Sequence, residues 1–234
     1  MNKEKFIEEL NKINIFPTEN QLIKLKKYYK MLIFWNEKIN LTSITNEEEV
    51  YLKHFYDSLT LSLAIDLNQD IVICDVGTGA GFPGVVLKIF FSNLKIVLLD
   101  SLNKRTIFLK AVIEELKLDK IEVVTDRAEH HIRMNIEKYD LITCRAVSKL
   151  NVISEVCLPG VKIGGYFVPM KANIEEEIKD IKYLELLGGK LEKILTFSLP
   201  IELSIRNLIK IKKEKESNKN YPREYNKIKN YPLL

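Results

Sequence analysis

The stretch DVGTGAGFPG at 75–84 holds four glycines in ten residues, between the apolar run IVIC at 71–74 and the apolar segment VVLKIFF at 85–91. A continuous apolar run without polar alternation reads as a strand buried on both faces. So many glycines let the chain turn sharply and leave no Cβ in the way of whatever approaches the backbone. A buried strand, a tight loop and a helix form the opening unit of a parallel α/β sheet, which commits the downstream chain to strand–helix–strand crossovers.

The downstream chain keeps that rhythm. KIVLLD (95–100), IEVVTD (121–126), YDLITCRA (139–146) and GYFVPMK (165–171) read as strands, with helices at about 83–91, 103–117 and 148–159. Beyond residue 171 the pattern predicts a helix over about 173–187, then two strands, GGKLEKILTFSL and IRNLIKIKK, placed to pair as an antiparallel hairpin. The expected fold is α/β: a doubly wound, mostly parallel seven-stranded sheet. Residues 1–65 instead show helical spacing. Phe6, Ile7, Leu10 and Ile13 share one face, and Leu22, Leu25, Tyr29, Leu32 and Ile33 continue a second helix behind a Thr18–Gln21 capping box. Asn46 caps a third helix, expected to run to about Ile65. This predicts an N-terminal helical cap (1–65), a sheet domain (66–213) and a basic tail (214–234) without regular structure.

Composition narrows the setting. At 234 residues and 46% hydrophobic, the chain can bury one good core. No apolar run reaches the roughly 18–20 residues of a membrane span. Cys74, Cys144 and Cys157 lie far apart without a CxxC, which points away from disulfides and thiolate metal sites and toward the cytosol. The net charge is +4, but residues 204–234 hold nine Lys/Arg and three acids, so this end is +6 and the remainder −2. A basic end on a near-neutral body suits a polyanionic partner.

Two ligand fingerprints overlap in the loop. Gly79, Gly81 and Gly84 spell the dinucleotide pattern GxGxxG. Gly77, Gly79 and Gly81 spell GxGxG behind Asp75, the form typical of S-adenosylmethionine-dependent methyltransferases. Register favours the second, because Gly77 follows the strand directly and Phe82 stands where the third glycine of a pyrophosphate site would fall. Asp75 suits the charged methionine end of that cofactor and Phe82 an apolar wall for its adenine. Asp100, ending the second strand, can accept ribose hydroxyls in either kind of site. Ala128 and Glu129, after the third strand, fall where the adenine would lie. His130 and His131 lack metal-ligand spacing and are expected at the surface. At the end of the fourth strand Cys144 reads as a buried structural thiol, and Arg145 as a residue that holds a phosphate, a base edge or the cofactor carboxylate. No Asn-Pro-Pro-Tyr-like segment of amino-group methylation follows that strand.

Taken together, NLT (40–42), KHFYDSL (53–59), DVGTGAGFPG, LLDSLNKR (98–105), RA (145–146) and YPR (221–223) resemble the RsmG (GidB) family of bacterial 16S ribosomal RNA guanine-N7 methyltransferases. The resemblance implies a class I, Rossmann-like methyltransferase domain over 66–213. It implies methyl transfer from S-adenosylmethionine to a guanine in the 530 loop, within the small ribosomal subunit or its precursor. The sequence itself, without metal-ligand spacing, a membrane-length apolar run or a long heptad, leads to the expectation of no metal, no membrane and a cytoplasmic monomer. It carries cofactor binding to Gly77, Phe82, Ala128, Glu129 and Arg145, beside Asp75, Gly79 and Asp100 from the loop reading, and guanosine positioning to His54, Asp57 and Arg145. Lys53 stands where the family often has Arg, and the tail lacks the family's usual glycine and second proline. An NAD-dependent oxidoreductase and a non-catalytic RNA-binding module on the same fold are the alternatives.

Overall fold

The computed structural model describes residues 1–233; Leu234, the last residue of the expected tail, lies outside them. The strands are β1 (Val72–Val76), β2 (Lys95–Asp100), β3 (Ile121–Thr125), β4 (Tyr139–Arg145), β5 (Val161–Lys171), β6 (Gly189–Ser198) and β7 (Ile205–Lys213). They form one sheet in the order β3-β2-β1-β4-β5-β7-β6. β1 through β5 pair in parallel, and β7 runs antiparallel to both β5 and β6, as the late hairpin requires. Chain order reverses between β1 and β4, so their carboxyl ends flank the switch point where open sheets bind ligands. The apolar run of β1 is buried on both faces, with Ile73 and Cys74 fully enclosed.

Helices cover both faces. α1 (Lys3–Lys12) and α2 (Glu19–Ile39) come first, and α2 opens on the expected box: Gln21 N donates to Thr18 Oγ1 and Thr18 N to Gln21 Oε1. α5 (Gly84–Phe90), α6 (Asn103–Glu115), α7 (Ala128–Arg133) and α8 (Leu150–Cys157) follow their strands, after two short helices, α3 (Glu47–Val50) and α4 (Asp57–Leu59). One hydrophobic cluster joins Phe6, Leu25, Tyr28 and Phe55 of the first 65 residues to Ile73, Leu98 and Phe108 of the sheet side. A second, on the opposite face, gathers Cys74, Ile142, Leu150, Cys157 and Ile209.

Three regions differ from expectation. The third helix is not uniform: α3 passes into a π-helical turn, Tyr51–Tyr56, before α4 and a 3₁₀ turn, Thr60–Leu63. That turn sets Phe55 against Tyr28 (ring centroids 5.6 Å) and leaves His54 and Asp57 facing the end of β4. The helix expected over 173–187 is reduced to α9 (Tyr183–Leu186). Asn173 Oδ1 accepts from Glu175 N at 3.1 Å, a local turn that competes with helix, and Glu177 is drawn inward to Lys171 at 2.9 Å. The tail is ordered rather than irregular. α10 (Tyr225–Asn230) buries Ile228, and Arg223 makes a forked pair, 2.7 and 2.6 Å, with the fully buried carboxylate of Glu155.

Candidate active site

The glycine loop is organised by two aspartates. Asp75 Oδ2 accepts from Thr78 Oγ1 (2.6 Å) and Gly84 N (2.8 Å), closing the loop on itself at the start of α5. Burial pushes its carboxyl up to about 6, against the downward pull of those two bonds. Its Oδ1 has no hydrogen-bond partner among the described residues. Asp100 Oδ2 accepts from Gly79 N (3.0 Å) and from Arg105 (3.3 Å), and its Oδ1 accepts from Leu102 N (2.9 Å). One carboxylate thus holds the loop after β1 to the turn after β2.

Beside the loop lies a cavity of about 300 Å³, lined by Gly77, Asp100, Ala128, Glu129, Arg145 and Val147 among others. Gly77 is in the left-handed region at φ +67°, and a Cβ there would press to 3.0 Å from Val147 on the same cavity wall. Gly79, at φ +62°, would meet nothing nearer than 3.9 Å, so what it provides is conformation rather than room. Glu129 is mostly buried and paired with Arg127 at 3.2 Å. His130 is exposed against Asp126, but His131 is buried with Nε2 2.6 Å from the Tyr139 hydroxyl, contrary to its expected surface position. Cys144 is the enclosed thiol expected, and burial pushes it up to about 12.

Phe82 sits elsewhere. It does not line the cavity of Ala128 and Glu129, where an adenine wall was expected. Its ring stacks on His54 (centroids 4.4 Å, 20° between planes), and the Arg145 guanidinium lies 5.2 Å from its centroid. Tyr28 and Phe55 offer it an apolar seat in the cap, which draws the ring away from the sheet's outer end.

A second cavity, about 420 Å³, is lined by His54, Asp57, Arg145, Lys171, Asn173 and Arg206 among others. Arg145 is its hub. Nη1 donates to Asp57 Oδ2 (3.0 Å) and to the Lys53 carbonyl (2.6 Å), and Nη2 to His54 Nδ1 (2.9 Å). Nδ1 also lies 3.2 Å from the Lys53 carbonyl, but a guanidinium can only donate, so the shorter contact makes Nδ1 the acceptor and puts the proton of a neutral ring on Nε2, 3.0 Å from Thr42 Oγ1. Burial, and then the Arg145 charge, push His54 down to about 3, so the ring is neutral at ordinary pH. Arg206 Nε lies 3.2 Å from Asp57 Oδ1, an ion pair without hydrogen-bond geometry. The two cavities share Arg145 and Ala146, and Ala146 turns the chain out of β4 at φ +54°, a conformation uncommon for a residue with a side chain.

A family model described as GidB, rRNA small subunit methyltransferase G, matches residues 21–203. The chain belongs to this rRNA small subunit methyltransferase G family. It is 46% identical to the ribosomal RNA small subunit methyltransferase G of Staphylococcus carnosus, with both chains fully covered. It is 47% identical to that of Bacillus cytotoxicus, over 96% of this chain and 95% of the relative. Among solved structures, a precorrin-6y methyltransferase from Geobacter metallireducens (TM-score 0.51, 17% identity, 75% of this chain and 92% of that one) has the same fold. So does an S-adenosylmethionine-dependent methyltransferase from Aquifex aeolicus (TM-score 0.53, 18% identity, 71% and 93%). Family membership makes the chain an S-adenosylmethionine-dependent methyltransferase and sets aside both the oxidoreductase and the non-catalytic reading. The smaller cavity fits that cofactor: it has bare backbone at Gly77, where a Cβ would press on the Val147 wall, a carboxylate at the end of β2 and small apolar walls at Ala128 and Val147. Its volume is at the lower end of the roughly 300–1,000 Å³ of small-molecule sites.

Sequence reading does not single out Arg206, Lys171, Thr42 or Tyr225 for the two cavities. Arg206 and Tyr225 carry only a tail signal, nothing local marks Lys171, and Thr42, which meets His54 from outside both cavity linings, is marked only as the end of the NLT segment. No group of three or more His, Cys, Asp or Glu that could hold a metal occurs among the described residues, and no helix there is long and apolar enough to cross a membrane.

Proposed function

We propose that the chain transfers the methyl group of S-adenosylmethionine to N7 of a guanine in the 530 loop of 16S ribosomal RNA. In this reading the substrate is presented by the small subunit or its precursor, to a monomer working in the cytoplasm. The smaller cavity holds the cofactor through Gly77, Asp100, Ala128 and Glu129, while Gly79 sets the conformation of the loop and gives its N–H to Asp100. The larger one receives the guanosine beside His54, Asp57 and Arg145. The carrying observation is that the two cavities meet at Arg145 and Ala146, so that groups held in each abut.

When bound, the cofactor supplies a sulfonium-activated methyl group. Guanine N7 carries a lone pair and no proton, so the attack requires no general base, and placement alone can do most of the work. The neutral His54 suits such a site: Arg145 and Thr42 engage both ring nitrogens, which orients the arginine instead of moving a proton. Asp57, buried between Arg145 and Arg206, holds the two guanidiniums in place and offsets part of the positive charge that a methylated, cationic purine would otherwise face. Phe82, under His54 and Arg145, positions both from the loop side. Asp75, fully buried and outside the lining of either cavity, shapes the loop from behind rather than meeting the methionine end directly, contrary to its expected contact.

The deciding experiment is transfer from methyl-labelled cofactor to small subunits that lack the modification, followed by mapping of the labelled base. Label at N7 of a 530-loop guanine is expected. Label on another base, or none with active cofactor binding, overturns the reading.

A further inference from the structure

Tyr225 stands on the short C-terminal helix α10, far in sequence from every strand-end loop, yet it lines the same cavity as Asp100, Ala128 and Glu129. Its ring is half-buried and faces the Arg127 guanidinium, 4.5 Å from the ring centroid. Arg127 lines that cavity too, directly before α7.

The tail does not need this ring to stay in place. Arg223 forks onto buried Glu155. Arg133 donates to Glu224 Oε1 (2.7 Å) and to the Pro222 carbonyl (2.9 Å), and Ile228 is fully enclosed in the second hydrophobic cluster. These anchors flank Tyr225 on both sides. No hydrogen bond engages the Tyr225 hydroxyl among the described residues. What is left is an aromatic face, backed by a cation, held over the end of a ligand cavity by contacts made elsewhere. Neither glycine nor proline interrupts residues 225–230, which permits the helix that carries it.

We propose that Tyr225 is a cofactor-binding residue, an aromatic wall at the purine end of the cavity, through which cofactor binding and the docking of the C-terminal helix support each other. The proposal rests on the reading of this cavity as the cofactor site. A purine presents a π-face, and base–aromatic stacking is the contact such a wall offers. The coupling follows because the wall belongs to the tail while the floor belongs to the sheet.

Calorimetric titration with S-adenosylhomocysteine and with adenosine tests it in the full chain. Tyr225→Ala is expected to bind both roughly 5–150-fold more weakly, the range of one stacking contact, and Tyr225→Phe within about twofold of wild type. S-adenosylhomocysteine is also expected to slow tryptic cleavage after the exposed Lys227 and Lys229 in the wild type but not in Tyr225→Ala, a readout that holds even if the alanine variant loosens the tail. Unchanged affinity in a folded Tyr225→Ala protein, an equal loss in Tyr225→Phe, or no protection of the wild-type tail at saturating ligand overturns the proposal. A wild-type protein that binds neither ligand overturns the cofactor site itself, a different result from all three.

Discussion

Arg145 Nη2 donates to His54 Nδ1 across 2.9 Å, joining the end of β4 to the π-helical turn of the cap. The bond requires a lone pair on Nδ1, so protonating His54 would break it and leave two cations face to face in a buried place. Site geometry and acid stability are therefore tied to one imidazole.

An unfolded histidine protonates near 6.5, and native His54 only near 3. Between those values the unfolded chain binds the extra proton, so the His54 contribution is intact above about 6.5 and is lost as pH falls toward 3. Asp75 acts in the opposite sense: its native value near 6 lies above the ordinary 3.8, so its contribution improves as pH falls through that window. Comparison with His54→Asn isolates the histidine. In urea unfolding, the stability difference between wild type and variant should change by about 1.4 kcal/mol per pH unit between pH 6 and 4. A pH-independent difference would mean that the native ring takes up the proton as readily as the unfolded one.

Arg145→Lys keeps the charge but cannot reach the Lys53 carbonyl, Asp57 and His54 together. Misplacing a positioning group by about 1 Å costs on the order of 100-fold in turnover. The expected outcome is a loss of that order in kcat with a much smaller change in S-adenosylhomocysteine affinity. Equal losses in both would place Arg145 on the cofactor alone.

The two loop glycines should separate. Gly77→Ala adds left-handed strain, about 1–2 kcal/mol against stability, and also a methyl against Val147 on the cavity wall, so the displaced wall should lower S-adenosylhomocysteine affinity at least tenfold. Gly79→Ala meets open space and should lower thermal stability while costing affinity less. The reverse ranking would move the cofactor along the loop.

The tail's cations also divide. Arg223→Ala strands the buried Glu155 carboxylate and should destabilise the fold by about 3–5 kcal/mol, the cost of orphaning one partner of a buried pair. Lys227→Ala with Lys229→Ala removes exposed charge. If these lysines meet phosphate, the double variant should leave stability unchanged and reduce the salt dependence of RNA binding by about 0.7–0.9 for each phosphate no longer neutralised. An unchanged slope would shift the search for the RNA surface to the cap.

Legibility in the sequence follows the range of the forces involved. The central strands β1, β2 and β4 announce themselves because a strand buried on both faces must be apolar along most of its length, the half-exposed β3, β6 and β7 by their aliphatic residues spaced between charged ones, and Thr18–Gln21 because a capping box is local. Asp100 is marked by its place at a strand end, although nothing in the sequence signals its bond to Gly79 N. The helix expected at 173–187 fails because Asn173 and Glu177 find partners outside helical spacing. Phe82 departs from its expected place because ring orientation depends on Tyr28 and Phe55, more than 25 residues upstream in chain order. Arg206 and Tyr225 resemble parts of a solvated basic end, since only tertiary folding brings them to the cavities.

The π-helical turn at Tyr51–Tyr56 makes the clasp on Arg145 depend on residue number as well as residue type. A π-helical turn closes i→i+5 bonds and so houses one residue more than an α-helical turn. His54 lies within that turn, Asp57 directly follows it, and the Ser58 hydroxyl donates to the His54 carbonyl across it at 2.6 Å. Removing one residue would draw the turn back to ordinary α-helical closure and change the spacing of His54 and Asp57, the two side chains that hold the Arg145 guanidinium. Point replacements in this stretch disturb one contact at a time, whereas a change of length disturbs both at once.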